Sequence, residues 1–92
     1  MSFIPDDFAP NTQREWDMVR AHLLADNDWV CAYCAKPLAW KGSEIDHLIP
    51  RCQGGTDHFV NLTISCKSCN CAKGGRSVWQ WTDPTDFAAC NP

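Results

Sequence analysis

The chain has 92 residues, 45% of them apolar, which suits one small folded domain and argues against a disordered tail. No apolar run reaches the roughly 18 residues of a membrane-spanning helix. The formal charge of −3 rules out a uniformly basic nucleic-acid binder, so any such binding must come from local charge.

Residues 1–11 read as an arm, because Pro5 and Pro10 oppose regular structure. Neither a basic region nor an apolar signal core opens the chain, which predicts a reducing cytoplasm. Thr12 and Glu15 form a capping-box signature at a helix start. Trp16, Val19 and Leu23 then share one helical stripe, with Trp16 expected in the core, and Asp26-Asn27-Asp28 ends the helix. Turns at Pro37 and Lys41-Gly42 flank Leu38 to Trp40. Residues 44–49 are β-compatible and Pro50 limits them, Gln53 to Thr56 is a loop, and Phe59 to Ser65 is a second strand. Lys67 to Lys73 is a short helix closed by Gly74-Gly75. Ser77 caps a turn through Trp79 and Trp81, and Asp83-Pro84 resembles another helix start.

Charge is distributed unevenly along this order. Residues 1–30 carry six acids against Arg14 and Arg20, a net of −4. Residues 31–76 carry Lys36, Lys41, Arg51, Lys67, Lys73 and Arg76 against Glu44, Asp46 and Asp57, a net of +3. Residues 77–92 add Asp83 and Asp86. The middle of the chain could therefore attract a polyanion, although so few charges also fall this way by chance.

Cys31-Ala-Tyr-Cys34 and Cys66-Lys-Ser-Cys69 supply four soft ligands in two CxxC pairs. That set suits tetrahedral Zn²⁺, and a core this small needs such a staple. A redox pair or buried free cysteines are the alternatives. Cys52, Cys71 and Cys90 are left over and read as small apolar side chains or incidental thiols.

Between the two pairs stands Asp46-His47. His47 is the natural general base, because histidine is the side chain whose charge changes near neutrality, and Asp46 is a hard oxygen ligand for a divalent cation. Adjacent residues on a flat strand face opposite ways, so the pair must lie where the strand twists or ends. An isolated Asp-His is usually a surface feature, and its place between the cysteine pairs sets this one apart. Cys66, Cys69, Asn70 and Lys73 fall at helical spacings that share one face, so zinc would fix the direction of Asn70. Its amide oxygen could join Asp46 on the cation.

The order Cys31/Cys34, Asp46-His47, Gly54-Gly55, Asn61, Cys66/Cys69, Asn70 resembles the HNH endonuclease family, in the form where Asn replaces the last His. The resemblance implies a small α+β fold with a zinc-stapled ββα-metal core. The chain reads as a single domain over 1–92, with an arm (1–11), a flanking helix (12–28), the core (29–76) that holds the resemblance, and a tail (77–92). The resemblance implies a metal-dependent DNA endonuclease in which Asp46 and Asn70 hold the cation, His47 activates water, and Asn61 braces the loop and orients the base. An amide at position 70 favours Mg²⁺ or Mn²⁺ over softer ions. Arg51, Lys67, Lys73 and Arg76 are candidate phosphate contacts, each also readable as a solvated surface charge. A bacterial or phage-type intracellular setting is expected.

Two other functions compete with this one. A catalytically silent zinc module for nucleic acid would not need Asp46, His47 and Asn70 together. A zinc-stapled interaction domain would use the acidic flanks and Trp79-Gln-Trp81 against a larger protein partner, and so small a nuclease could also need such a partner for specificity. On sequence alone, Asp46→Ala is expected to keep or raise stability, as a strained functional carboxylate often does when removed.

Overall fold

The computed structural model describes residues 4–81. Helix α1 (Gln13–Asp26) comes first, then strands β1 (Ser43–His47) and β2 (Leu62–Cys66), then helices α2 (Lys67–Lys73) and α3 (Val78–Trp81). The result is a small α+β unit with a two-stranded antiparallel sheet. Its register pairs Ser43 with Cys66, Ile45 with Ile64 and His47 with Leu62. Among the described residues no helix is long and apolar enough to cross a membrane.

Helix α1 starts on the expected capping box. Thr12 Oγ1 accepts from Glu15 N at 3.1 Å while Glu15 Oε1 accepts from Thr12 N at 3.1 Å. Two amides that no helical turn could satisfy are thereby paired. The helix buries Val19, Leu23 and Leu24 against Leu62 and Ile64 of β2, with Trp16, Ile45 and Phe59 packed around them. Strand periodicity sends Asp46 and Thr63 to the other side of the sheet, where α2 packs.

Two details depart from the sequence expectation. Phe59 to Asn61 is a 3₁₀ turn, and the second strand begins only at Leu62. Phe59 N and Val60 N donate to Phe8 O and Asp6 O of the N-terminal arm, at 2.8 and 2.9 Å, and these bonds take them out of the ladder. Cys66 lies outside the helix proper: it ends β2 and caps α2, its sulfur accepting from Cys69 N at 3.4 Å. Asp83-Pro84 and Cys90 lie outside the described residues.

The connection from β1 to β2 is tightly drawn. Asn61 Nδ2 donates to Ile49 O at 2.9 Å and Thr56 O at 2.8 Å, and Asn61 Oδ1 accepts from Ile49 N at 2.9 Å. Gly55 lies so close to this turn that a Cβ there would stand 1.7 Å from Ile49 O. Only glycine fits.

Candidate active site and metal centre

The four paired cysteines meet in space. The sulfurs of Cys31, Cys34, Cys66 and Cys69 all lie within 4.8 Å of one another. Cys34 and Cys66 Sγ are 3.8 Å apart, close to the edge of about 3.8 Å that a tetrahedron with bonds of about 2.3 Å to zinc requires. Backbone amides already turn to the sulfurs, Tyr33 N donating to Cys31 Sγ at 3.4 Å. Ala35 closes this knuckle in the left-handed region at φ 62°, held by Ala35 N–Cys31 O at 2.9 Å and Cys31 N–Lys36 O at 2.8 Å. Burial works against the Cys31 thiolate, but the amides of Cys34, Cys66 and Tyr33 outweigh it and bring the thiol down to about 6. Burial and hydrogen bonds from its neighbours raise Cys69. The donor set and spacing fit a structural metal. Of the remaining cysteines, Cys71 is an exposed free thiol. Cys52 is disulfide-bonded, which corrects its reading as an incidental thiol.

Asp46 lies on the α2 side of β1, one residue before the strand ends at His47. Both residues line a cleft of about 410 Å³ with Pro50, Arg51, Asn70 and Lys73. The ending of the strand reconciles two neighbours whose side chains would otherwise diverge. Asn70 reaches the cleft from α2, and its amide makes no hydrogen bond among the described residues. A carboxylate and an amide oxygen lining one cleft are hard donors of the kind a divalent cation takes.

Asp46 is almost sealed from solvent, at 5% exposure. Tyr33 Oη donates to its Oδ2, and Lys73 Nζ stands 3.3 Å from its Oδ1. Burial, followed by the Asp46 carboxylate, pushes the Tyr33 hydroxyl pKa up and keeps it a donor. The Tyr33 ring packs edge-on against Trp81 at 4.9 Å. Trp81 thus packs inward, and Trp79 is 65% exposed.

His47 Nε2 lies 2.8 Å from Asp57 Oδ1. Arg51 Nε and Nη2 grip the same carboxylate at 2.8 and 2.9 Å, and this fork, more than His47, holds Asp57 below the usual carboxylate range.

The basic residues named from sequence separate. Lys67 is exposed at the start of α2. Arg51 is exposed but occupied by Asp57. Arg76 turns back on the end of α2, donating to Ala72 O at 2.6 Å and Lys73 O at 3.2 Å. Lys73 is 1% exposed and also donates to His47 O at 2.7 Å, so its ammonium is held inward between Asp46 and the end of β1. Its burial excludes the alternative reading as a solvated surface charge. Helical spacing put it on the face of Asn70 but could not tell that this face meets Asp46. Asp57 and Tyr33 were missed as site residues. Their only signals were an acid following Gly54-Gly55 and a tyrosine inside the first CxxC.

The model of the family described as HNH endonuclease matches residues 31–76, which is half of the chain and contains every cysteine and polar group of the site except the flanking tryptophans. The chain belongs to the HNH endonuclease family. It is 36% identical, over 72 residues, to the CRISPR-associated endonuclease Cas9 of Corynebacterium diphtheriae, covering 77% of this chain and 7% of that protein. It is 27% identical over 66 residues to the Cas9 of Actinomyces naeslundii, covering 71% of this chain and 6% of that one. The crystal structure of the Type II-C Cas9 enzyme from Actinomyces naeslundii superposes with a TM-score of 0.68 at 26% identity, over 78% of this chain and 7% of that chain. This HNH chain therefore spans about one fourteenth of the length of the relatives it matches.

Proposed function

We propose that this chain is the catalytic module of a metal-dependent DNA endonuclease that hydrolyses phosphodiester bonds. The observation that carries the reading is the convergence of Asp46 and His47 from β1 with Asn70 from α2 on one cleft. A divalent cation held by Asp46 and Asn70, Mg²⁺ or Mn²⁺ by the hardness of those oxygens, would supply positive charge beside the scissile phosphate and the leaving oxygen. His47 takes a proton from water. The water oxygen attacks phosphorus, the bond to the 3′ oxygen breaks, and that oxygen takes a proton from solvent. Asn61 keeps the β1–β2 connection in shape, and Cys31, Cys34, Cys66 and Cys69 would hold a zinc ion that ties β2 and α2 to the first knuckle.

Arg51, Lys67 and Arg76 are proposed phosphate contacts, with Lys73 acting from behind as a fixed charge. The relatives are an order of magnitude longer. This supports a larger protein context that selects the DNA, while this module cuts it.

The test is plasmid cleavage by the zinc-loaded chain with Mg²⁺, Mn²⁺ or EDTA. Cleavage is expected only with a divalent ion, and His47→Ala should slow it about 10²–10⁴-fold. Undiminished cleavage by His47→Ala would sink the assignment, and DNA binding without cleavage would favour the silent zinc module.

A further inference from the structure

One ring nitrogen of His47 is already engaged. A carboxylate can only accept, so the 2.8 Å contact between Nε2 and Asp57 Oδ1 places a proton on Nε2. In the neutral ring the lone pair then sits on Nδ1, which has no hydrogen bond among the described residues. His47 keeps 18% of its side chain exposed and lines the cleft.

Asp57 is itself well supported. Arg51 grips both of its oxygens from the 3₁₀ turn Arg51–Gln53. Its neighbour Thr56 is tied to Asn61, and the same Asn61 amide holds Ile49, two residues beyond His47. The backbone just after the base and the backbone just before its acceptor are thus tied together by three hydrogen bonds of the Asn61 side chain.

We propose that Asp57 is the positioning residue for the base. By accepting Nε2–H it sets the tautomer and ring orientation of His47 and leaves Nδ1 to take the proton from water. The O–H bond breaks, the N–H bond forms on Nδ1, and the resulting imidazolium faces the Asp57 carboxylate. The oxygen keeps its electron pair for attack on phosphorus. The inference rests on the reading of His47 as the base and adds the residue that makes it one. A merely structural ion pair would hold the loop through Arg51 and leave the tautomer unselected.

The experiment combines long-range ¹H–¹⁵N spectra of the imidazoles with steady-state cleavage on the zinc-loaded full chain. His47 is assigned by its loss in His47→Ala. The wild type is expected to show the Nε2–H tautomer. Arg51→Met, which removes the ion pair but leaves Asp57 on the ring, should keep that pattern, and Asp57→Ala and Asp57→Asn should lose it. With zinc content unchanged, Asp57→Ala should lower kcat about 10–100-fold with little change in KM for DNA. A wild-type spectrum showing Nδ1–H, or two tautomers averaging, overturns the proposal without any variant. So does Asp57→Ala cleavage at the wild-type rate while His47→Ala is inactive. Cleavage that survives His47→Ala overturns the assignment of the base, and the positioning role falls with it.

Discussion

Lys73 Nζ and Asp46 Oδ1 form an ion pair 3.3 Å long with almost no solvent access to either side chain. The ammonium lies on the very carboxylate proposed to bind the catalytic cation. Truncating one member of a buried pair leaves the other charge stranded. Lys73→Met should therefore destabilise the metal-free protein by about 3 kcal/mol. Mg²⁺ should restore part of that loss and raise the melting temperature more steeply than in the wild type. Thermal melts across a Mg²⁺ series check this, and a variant that melts like the wild type without metal would contradict it. The same pair reverses the sequence expectation for Asp46→Ala, since removing the carboxylate strands a buried ammonium and should lower stability.

Tyr33 connects the cysteine cluster to the carboxylate proposed to hold the catalytic cation. Its backbone lies in the first cysteine knuckle and its hydroxyl on Asp46. Tyr33→Phe keeps the ring against Trp81 but frees one carboxylate oxygen. Zinc content should not change, stability should fall by about 1–3 kcal/mol, and the Mg²⁺ concentration for half-maximal cleavage should shift. A variant with unchanged Mg²⁺ dependence would show that the hydroxyl does not set the geometry of Asp46.

If the four thiols hold zinc, its binding energy is part of the folding energy. Elemental analysis should find one zinc per chain. Cys66→Ala should lose it and unfold the unit, since Cys66 is at once a ligand, the end of β2 and the cap of α2. A strong chelator should act likewise. Asp46→Ala and His47→Ala should retain zinc. Zinc loss in either of these would mean that the structural and catalytic sites have been exchanged.

Asn70→His should keep cleavage and widen the usable metals toward Ni²⁺ or Co²⁺, because the cleft gains a nitrogen donor. Initial rates across a metal series decide it. An unchanged profile in a folded variant would show that residue 70 is not a ligand.

Much of this protein was legible in its sequence because the relevant forces are local. The capping box of α1, the strand ending by Pro50, the glycine closing α2 and the two CxxC knuckles are each set within a few residues. Asp46, His47, Asn61 and Asn70 stood out because metal and proton chemistry restricts residue type. Contacts across the fold were not legible. That Asp57 meets His47, that Tyr33 and Lys73 take the two oxygens of Asp46, and that Arg51 is gripped before any phosphate arrives all depend on which faces of β1, α2 and the β1–β2 loop come together. A charged side chain has the same local signature whether it faces water or a buried partner. Only tertiary packing, by excluding solvent around Lys73 and Asp46, turns a basic residue on a helix into the counter-ion of the site.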